Sequence, residues 1–208
     1  MKTIEIKILT FEELTPEAQQ VAIEDYRNNQ TFDFVWDDAH ATIKEFLDWV
    51  PMIKTGRNSW LDCNLDSVED KIRELTGLRL RTWFLNNFSF LYKRKYLKNF
   101  EGHKAHRMIR NKEVNRTGKK YCFAYSNIQE TKECNLTGHC YDMDFLDPIY
   151  NFIAAPDKST NFDEVIKDCF DSLRKSIENE IEYMQENEYI IEEIEANDHE
   201  FTEDGKRY

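Results

Sequence analysis

The chain has 208 residues, 28 Lys and Arg against 40 Asp and Glu for a formal net charge of −12, and 13% aromatic residues. Its 14 Phe, 10 Tyr and 4 Trp are spread along the chain and only 6 Gly and 4 Pro interrupt it, so the composition excludes a low-complexity tail and predicts one folded domain over residues 1–208. No stretch reaches the roughly 20 apolar residues that a membrane-spanning helix requires.

Taken in chain order, residues 3–9 alternate so that Ile4, Ile6 and Ile8 share one face of a strand, which predicts that this face is buried. Thr15-Pro16-Glu17 reads as an N-cap, a proline at the first helical position and an early acid, with Ala18, Val21, Ala22 and Tyr26 following at helical spacing. A second helix is predicted from about Phe34 to Val50, with Asp33 as its cap, Phe34, Trp36, Ile43, Phe46, Leu47 and Val50 as apolar contributors, and Pro51 as its stop. Asp66-Ser67-Val68-Glu69 opens a short third helix that Gly77 would close, and residues 78–85 then alternate like a strand.

Residues 88–100 suit a helix with a basic face and an aromatic face, and residues 101–118 a long loop or weak helix. Residues 121–126 and 133–137 read as two strands. Asn161-Phe162-Asp163-Glu164 resembles a capping box, and Phe162, Val165, Ile166, Cys169, Phe170, Leu173, Ile177, Ile181 and Met184 mark the helix that follows. After a break near residues 185–187, a short helix around Ile190, Ile191 and Ile194 ends at Asn197, and residues 199–202 form a last strand. The predicted fold is α+β: a small, mainly antiparallel sheet built from residues 3–9, 78–85 and 121–126, packed with several helices including a long acidic C-terminal one.

Charge is sorted by position. Residues 71–120 hold 15 Lys and Arg against 3 Asp and Glu, whereas residues 163–204 hold 3 against 16. The basic segment is interleaved with Trp83, Tyr92, Tyr96 and Phe100, the composition of a surface that grips phosphates with cations and bases with rings. Lys93, Arg94, Lys95, Lys98, Lys104, Arg107, Arg110 and Lys112 would be its centre; the other reading is a solvated basic face paired with this chain's own acids. In the acidic helical segment, residues 161–196, Asp171, Glu178, Glu182, Glu186, Glu188, Glu192 and Glu193 would project carboxylates much as a duplex projects phosphates, forming a partner-binding face for a basic channel. The other reading of that face is an ordinary solubilising one.

Cys63, Cys122, Cys134, Cys140 and Cys169 are odd in number and irregular in spacing, and the start MKTIEIKILTFEEL lacks a secretory signal's apolar core, which predicts reduced thiols and a cytoplasmic location. Cys122, Cys134, His139 and Cys140 have the donor types for zinc without the paired spacing of zinc modules, and His103 with His106 has no acid or thiol to complete a site. The sequence holds no Gly-rich phosphate loop, no G-x-S-x-G and no H-E-x-x-H. Acid pairs such as Asp37 with Asp38 and Asp142 with Asp144 are expected by chance among 40 acids. No catalytic residue, metal or cofactor is therefore predicted, and the expectation is a protein that is not an enzyme, with a metal-dependent nuclease as a third reading.

The segments TFEELTPEAQQVAIEDYRN (Thr10 to Asn28) and IEANDHEFTEDGKR (Ile194 to Arg207) resemble a widespread family of phage and prophage proteins, some carried under an antitoxin-type name, with weaker likeness around Leu136 to Tyr141. The family's central run, similar to F-S-G-F-W-S-Q-G-D-G, is missing; Leu78 to Leu85 stands near its place. The resemblance brings no functional residue with it and implies a setting, a phage accessory protein in the cytoplasm of a bacterial host. The function expected is inhibition of a host defence complex, anti-CRISPR-like, by stoichiometric binding to a nucleic-acid-handling effector such as a CRISPR nuclease. The alternative is a nucleic-acid-binding regulator or antitoxin that contacts RNA or DNA through residues 71–120.

Overall fold

The structure, a computed structural model, describes residues 7–57, 59–88, 134 and 136–208. In chain order these form β1 (Ile8–Leu9), a 3-10 turn (Phe11–Glu13), α1 (Pro16–Asn29), α2 (Asp33–Trp49), β2 (Lys54–Thr55), β3 (Cys63–Asn64) and α3 (Asp70–Arg73). There follow α4 (Gly77–Asn87), α5 (Tyr141–Ala154), α6 (Phe162–Met184), α7 (Asn187–Ala196) and β4 (Phe201–Thr202). The fold is α+β and mostly helical, with its strands in two antiparallel pairs, β1 with β4 and β2 with β3. Contacts group the chain into a terminal unit, Met1–Trp36 with Ile177–Tyr208, and a central unit, Asp37–Ser176. Among the described residues no helix is long and apolar enough to cross a membrane.

In the terminal unit the local signals work as read. Thr15 Oγ1 accepts from Ala18 N at 3.3 Å, Pro16 takes the first helical position, and α1 buries Ala18, Ala22 and Ile23. Val21, expected on the apolar side, is 41% exposed. These residues pack with Phe11, Leu14, Ile190, Ile194 and Phe201 into one apolar cluster, in which the Phe11 and Phe201 rings meet edge to face at 6.2 Å. The strand's buried side is the reverse of the expected one: Ile8 is 40% exposed, and Leu9 is the residue packed on the cluster. The cause is register, because Leu9 lies opposite Phe201 and residues paired across a ladder share a face. Ile4 and Ile6 lie outside the described residues.

The C-terminal turn is held from several sides. Thr202 N donates to Lys206 O and Gly205 N to Thr202 O, both at 2.9 Å. Thr202 Oγ1 donates to Asp204 Oδ1 at 2.5 Å, and with Lys206 it pulls the Asp204 carboxyl down to about 2. Gly205 has φ +81, and a Cβ there would stand 2.1 Å from Ala18 O. Glycine is required both for the left-handed backbone and for the close approach to α1.

The central unit differs most from expectation. Residues 78–85, expected as a strand, are helical in α4: Leu80, Phe84 and Phe88 recur every fourth residue and are buried, whereas Leu78 is 68% exposed. The short alternation loses to a four-residue period that continues beyond it. The third helix is shorter than expected, ending with Glu74 as its C-cap, and Gly77 (φ +52) opens α4 instead of closing α3. In the second helix Phe46 is buried as expected, yet Phe34 and Trp36 are 53% and 39% exposed. Helix α5 was not anticipated; it buries Tyr141, Asp142, Phe145, Leu146, Ile149, Tyr150, Phe152 and Ile153 and carries Pro148 inside it. Aromatic contacts bind these helices together: Phe46 with Phe145 at 4.8 Å, Phe145 with Phe170 at 5.2 Å, and Trp83 with Phe162 at 5.1 Å.

Asn161 opens α6 with a true capping box: its N–H donates to Glu164 Oε2 and its Oδ1 accepts from Glu164 N, each at 3.0 Å. The expected break at residues 185–187 and the helix end at Asn197 are also present. Residues 89–133, which include the basic helix, the long loop and the strand expected at 121–126, lie outside the described residues. Of the strand expected at 133–137, Cys134, Leu136 and Thr137 are described and none is in a strand.

A buried carboxylate explains that last departure. Asp142, 0% exposed in the first turn of α5, accepts at Oδ2 from the backbone N–H groups of Leu136 (2.8 Å), Thr137 (2.7 Å) and Gly138 (3.0 Å). Its Oδ1 accepts from the hydroxyls of Thr42 and Thr137, each at 2.8 Å. The amides a neighbouring strand would have used are taken by one side chain at a helix N-terminus.

Two outcomes are expected. Asp142→Asn places an amide NH2 among donors and should destabilise the protein by about 3 kcal/mol, visible as a lower denaturation midpoint; an unchanged midpoint contradicts this bonding. Gly205→Ala should cost about 1–3 kcal/mol through overpacking and backbone strain. Its amide-exchange protection should fall in α1 and α7; a variant with wild-type protection contradicts the close approach.

Candidate functional site

The predicted acidic residues fall into two places. Asp171 belongs to the central unit, where Arg174 holds it at 2.8 Å and also reaches Asp62 at 2.7 Å. Glu178, Glu182, Glu186, Glu188, Glu192 and Glu193 all belong to the terminal unit. Glu178 and Glu182 stand one turn apart on α6, Glu186 occupies the N-cap position of α7 without a side-chain cap bond, and Glu188 and Glu192 stand one turn apart on α7. All but Glu193 are exposed, and among the described residues no cation forms an ion pair with any of the six.

The unit's own cations are engaged elsewhere or are too few. Arg27 donates from α1 to Gln185 O at 3.1 Å and to Asn187 Oδ1, holding the α6–α7 turn. Lys206 pairs with Asp204 at 3.0 Å and Lys7 with Glu203 at 3.9 Å. Residues 1–36 and 177–208 together contain 19 Asp and Glu against 5 Lys and Arg, so this unit's net charge, −14, exceeds that of the whole chain.

Beside that surface lies a pocket of about 540 Å³, lined wholly by residues of the terminal unit. α1 contributes Ala22, Asp25 and Tyr26, the start of α2 contributes Phe34, and α7 contributes Tyr189 and Glu193. His199, Phe201 and Arg207 complete it from the C-terminal segment. His199 is aimed by the end of α7: Asp198 adopts a left-handed φ of 50, Asp198 N donates to Glu195 O and His199 N to Ile194 O, both at 3.1 Å. This is a Schellman closure with aspartate in the position glycine usually takes.

Electrostatics in the pocket centre on Glu193. Burial, then the Glu193 charge, raises the Tyr26 hydroxyl above its ordinary value, and the same two causes raise Tyr189, which also hydrogen-bonds Glu193. Both phenols therefore stay neutral. Burial, then Arg207, lowers His199 below its ordinary value against the pull of Glu193. The Tyr26 and His199 rings are 5.9 Å apart, and Tyr189 meets Tyr183 edge to face at 5.2 Å. Gln30 Oε1 and His199 Nδ1 are buried atoms without a hydrogen-bond partner.

Of this pocket, sequence reading found only Glu193. Tyr26 was assigned to the apolar side of a helix and His199 to a strand, and nothing local joins residues 25–34 to residues 184–207. The segments Thr10 to Asn28 and Ile194 to Arg207 are the ones that pack together here. Lys93, Arg94, Lys95, Lys98, Lys104, Arg107, Arg110 and Lys112 lie outside the described residues, as do Cys122, His103 and His106. Asp38 pairs with His139 at 3.3 Å and Asp144 accepts from Ser176 at 2.6 Å. Among the described residues no group of three or more His, Cys, Asp or Glu is placed to hold a metal. Comparison with protein-family models, curated proteins and solved structures finds nothing that matches the chain.

A pH effect follows from His199. Because its folded value lies below the ordinary 6.5, its contribution to stability is full above about pH 6.5 and is lost as pH falls through the folded value. The His199 ring should titrate by NMR with a midpoint below 6.5, and His199→Gln should flatten the decline of stability between pH 7 and 5. A midpoint at or above 6.5 contradicts the burial described.

Proposed function

We propose that this protein acts by stoichiometric binding and not by catalysis, the terminal unit presenting its carboxylates to a strongly basic, nucleic-acid-handling protein. The observation that carries this reading is the concentration of 19 acids against 5 bases in residues 1–36 and 177–208. Six glutamates there have no ion-pair partner among the described residues. A compact folded surface of one sign repels itself and is destabilising unless it meets a partner of the other sign. A channel lined with Lys and Arg to hold phosphates is that partner, and carboxylates on paired helices occupy it in place of nucleic acid. The resemblance of Thr10 to Asn28 and Ile194 to Arg207 to phage accessory proteins supports a setting in which the basic partner is a host defence complex, such as a CRISPR effector.

The test is direct. Mixed with purified effector complexes, the protein should co-elute in size exclusion at low or moderate salt and displace bound nucleic acid without turnover. Exchanging Glu178, Glu182, Glu186 and Glu192 for Lys should slow association by at least about tenfold and weaken its salt dependence. Absence of a complex with any effector at low salt, or a charge-reversed variant that binds as wild type, overturns the proposal.

A further inference from the structure

The pocket beside Glu193 adds a specific element to this acidic surface. Its walls carry the rings of Tyr26, Phe34 and Tyr189, and Phe34 is 53% exposed. Its charged groups are Asp25 and Glu193 against Arg207. Neither carboxylate has an ion-pair partner among the described residues, and the amide oxygen Gln30 Oε1 has no donor. The pocket is thus rich in ring faces and holds two carboxylates against one guanidinium; its neutral donors are partly engaged, Asn197 Nδ2 donating to Glu193 Oε2 at 3.3 Å and Asn29 Nδ2 to Asp25 Oδ1 at 3.1 Å.

Ligand classes separate on that chemistry. An anion would find one guanidinium, two carboxylates and the field of a unit with net charge −14, and would be repelled. A neutral apolar group would fill the space but strip water from Glu193 without pairing it, which is costly. An ammonium pairs with a carboxylate as a point charge and uses the rings only in part. A guanidinium is planar, stacks on aromatic faces and offers donors in a fork that a carboxylate accepts two at a time.

We infer that this pocket seats an arginine side chain of the basic partner, its guanidinium stacked against Tyr26 and Tyr189 and forked onto Glu193. The assignment rests on the reading of the terminal unit as an acidic binding module, and it names the residue type that module selects. Surface glutamates attract any polycation; the pocket distinguishes arginine from lysine.

The experiment uses the full chain and an acetylated, amidated Gly-Arg-Gly peptide, with its citrulline and lysine counterparts, followed by NMR and calorimetry. The arginine peptide should shift the ring resonances of Tyr26, Tyr189 and His199 saturably. The citrulline peptide, equal in shape and uncharged, should bind at least about tenfold more weakly, and the lysine peptide about threefold or more. Glu193→Gln should lower affinity for the arginine peptide at least about tenfold. Glu17→Gln, the same charge change on α1 outside the pocket, should alter it less than about twofold. Equal binding of the citrulline peptide, shifts that miss the pocket rings, or equal effects of the two substitutions overturn the assignment. Should the peptide leave the pocket untouched while effector binding remains salt-dependent, the pocket assignment alone falls. Should it bind the pocket while no effector is bound, the acidic-module reading falls instead.

Discussion

The terminal unit depends on one close approach, the seat of Gly205 against the backbone of Ala18. A glycine with φ +81 whose missing Cβ would lie 2.1 Å from Ala18 O fixes the turn after β4 directly on α1. With the turn fixed, Phe201 meets Phe11, Leu9 faces inward opposite it, and Ile190 and Ile194 of α7 close the cluster. The pocket is a by-product of the same closure. His199 and Arg207 flank Phe201 in sequence, and the packing that buries Phe201 brings both to the helix that carries Asp25 and Tyr26.

Charge sorts differently in the fold than along the chain. Along the sequence a basic block, residues 71–120, opposes an acidic one, residues 163–204. In the fold the central unit holds 23 Lys and Arg against 21 Asp and Glu over residues 37–176, whereas the terminal unit holds 5 against 19. Of the basic block only residues 71–88 are described, and there Arg73 pairs with Asp163 at 2.6 Å. The contrast is therefore between a nearly neutral unit and a strongly acidic one. Carboxylates facing water without partners add no stability, since even paired surface charges contribute about 1 kcal/mol or less. Their concentration is a property of the surface and not of the core beneath it.

Legibility followed the range of the signal. The Thr15-Pro16 start, the Asn161–Glu164 capping box, the break before Asn187 and the stop at Asn197 are set by bonds within four residues, and each stands where the sequence places it. α5 escaped because Pro148 reads as a breaker in its middle, although Tyr141, Phe145, Leu146, Ile149, Tyr150 and Ile153 recur at helical spacing. α4 was misread because Leu80, Phe84 and Phe88 fit both periods, and the exposure of Leu78 is what separates them. The loop before α5 was misread because its amides bond to Asp142, a partner four to six residues on that no strand pattern announces. The candidate site was half legible: glutamates on a helix declare themselves, whereas a pocket formed by residues some 160 positions apart does not.

In the proposed role the two parts of the site divide the work of recognition. Exposed like charges act through long-range attraction; they raise the encounter rate, weaken as salt screens them beyond about 8 Å at physiological ionic strength, and discriminate poorly among basic surfaces. A ring-lined pocket acts at contact and governs how long the complex lasts, because most differences in affinity among related complexes lie in dissociation. Glu193 belongs to both parts, on the acidic helix and in the ring-lined wall. It sits half-buried in the pocket wall, beside two tyrosines whose hydroxyls stay neutral and a histidine that Arg207 helps keep neutral. Placing the charge there confines the acceptor to one carboxylate within walls of neutral rings. That arrangement favours a delocalised, weakly hydrated cation over the strongly hydrated ammonium that the outer glutamates attract equally well.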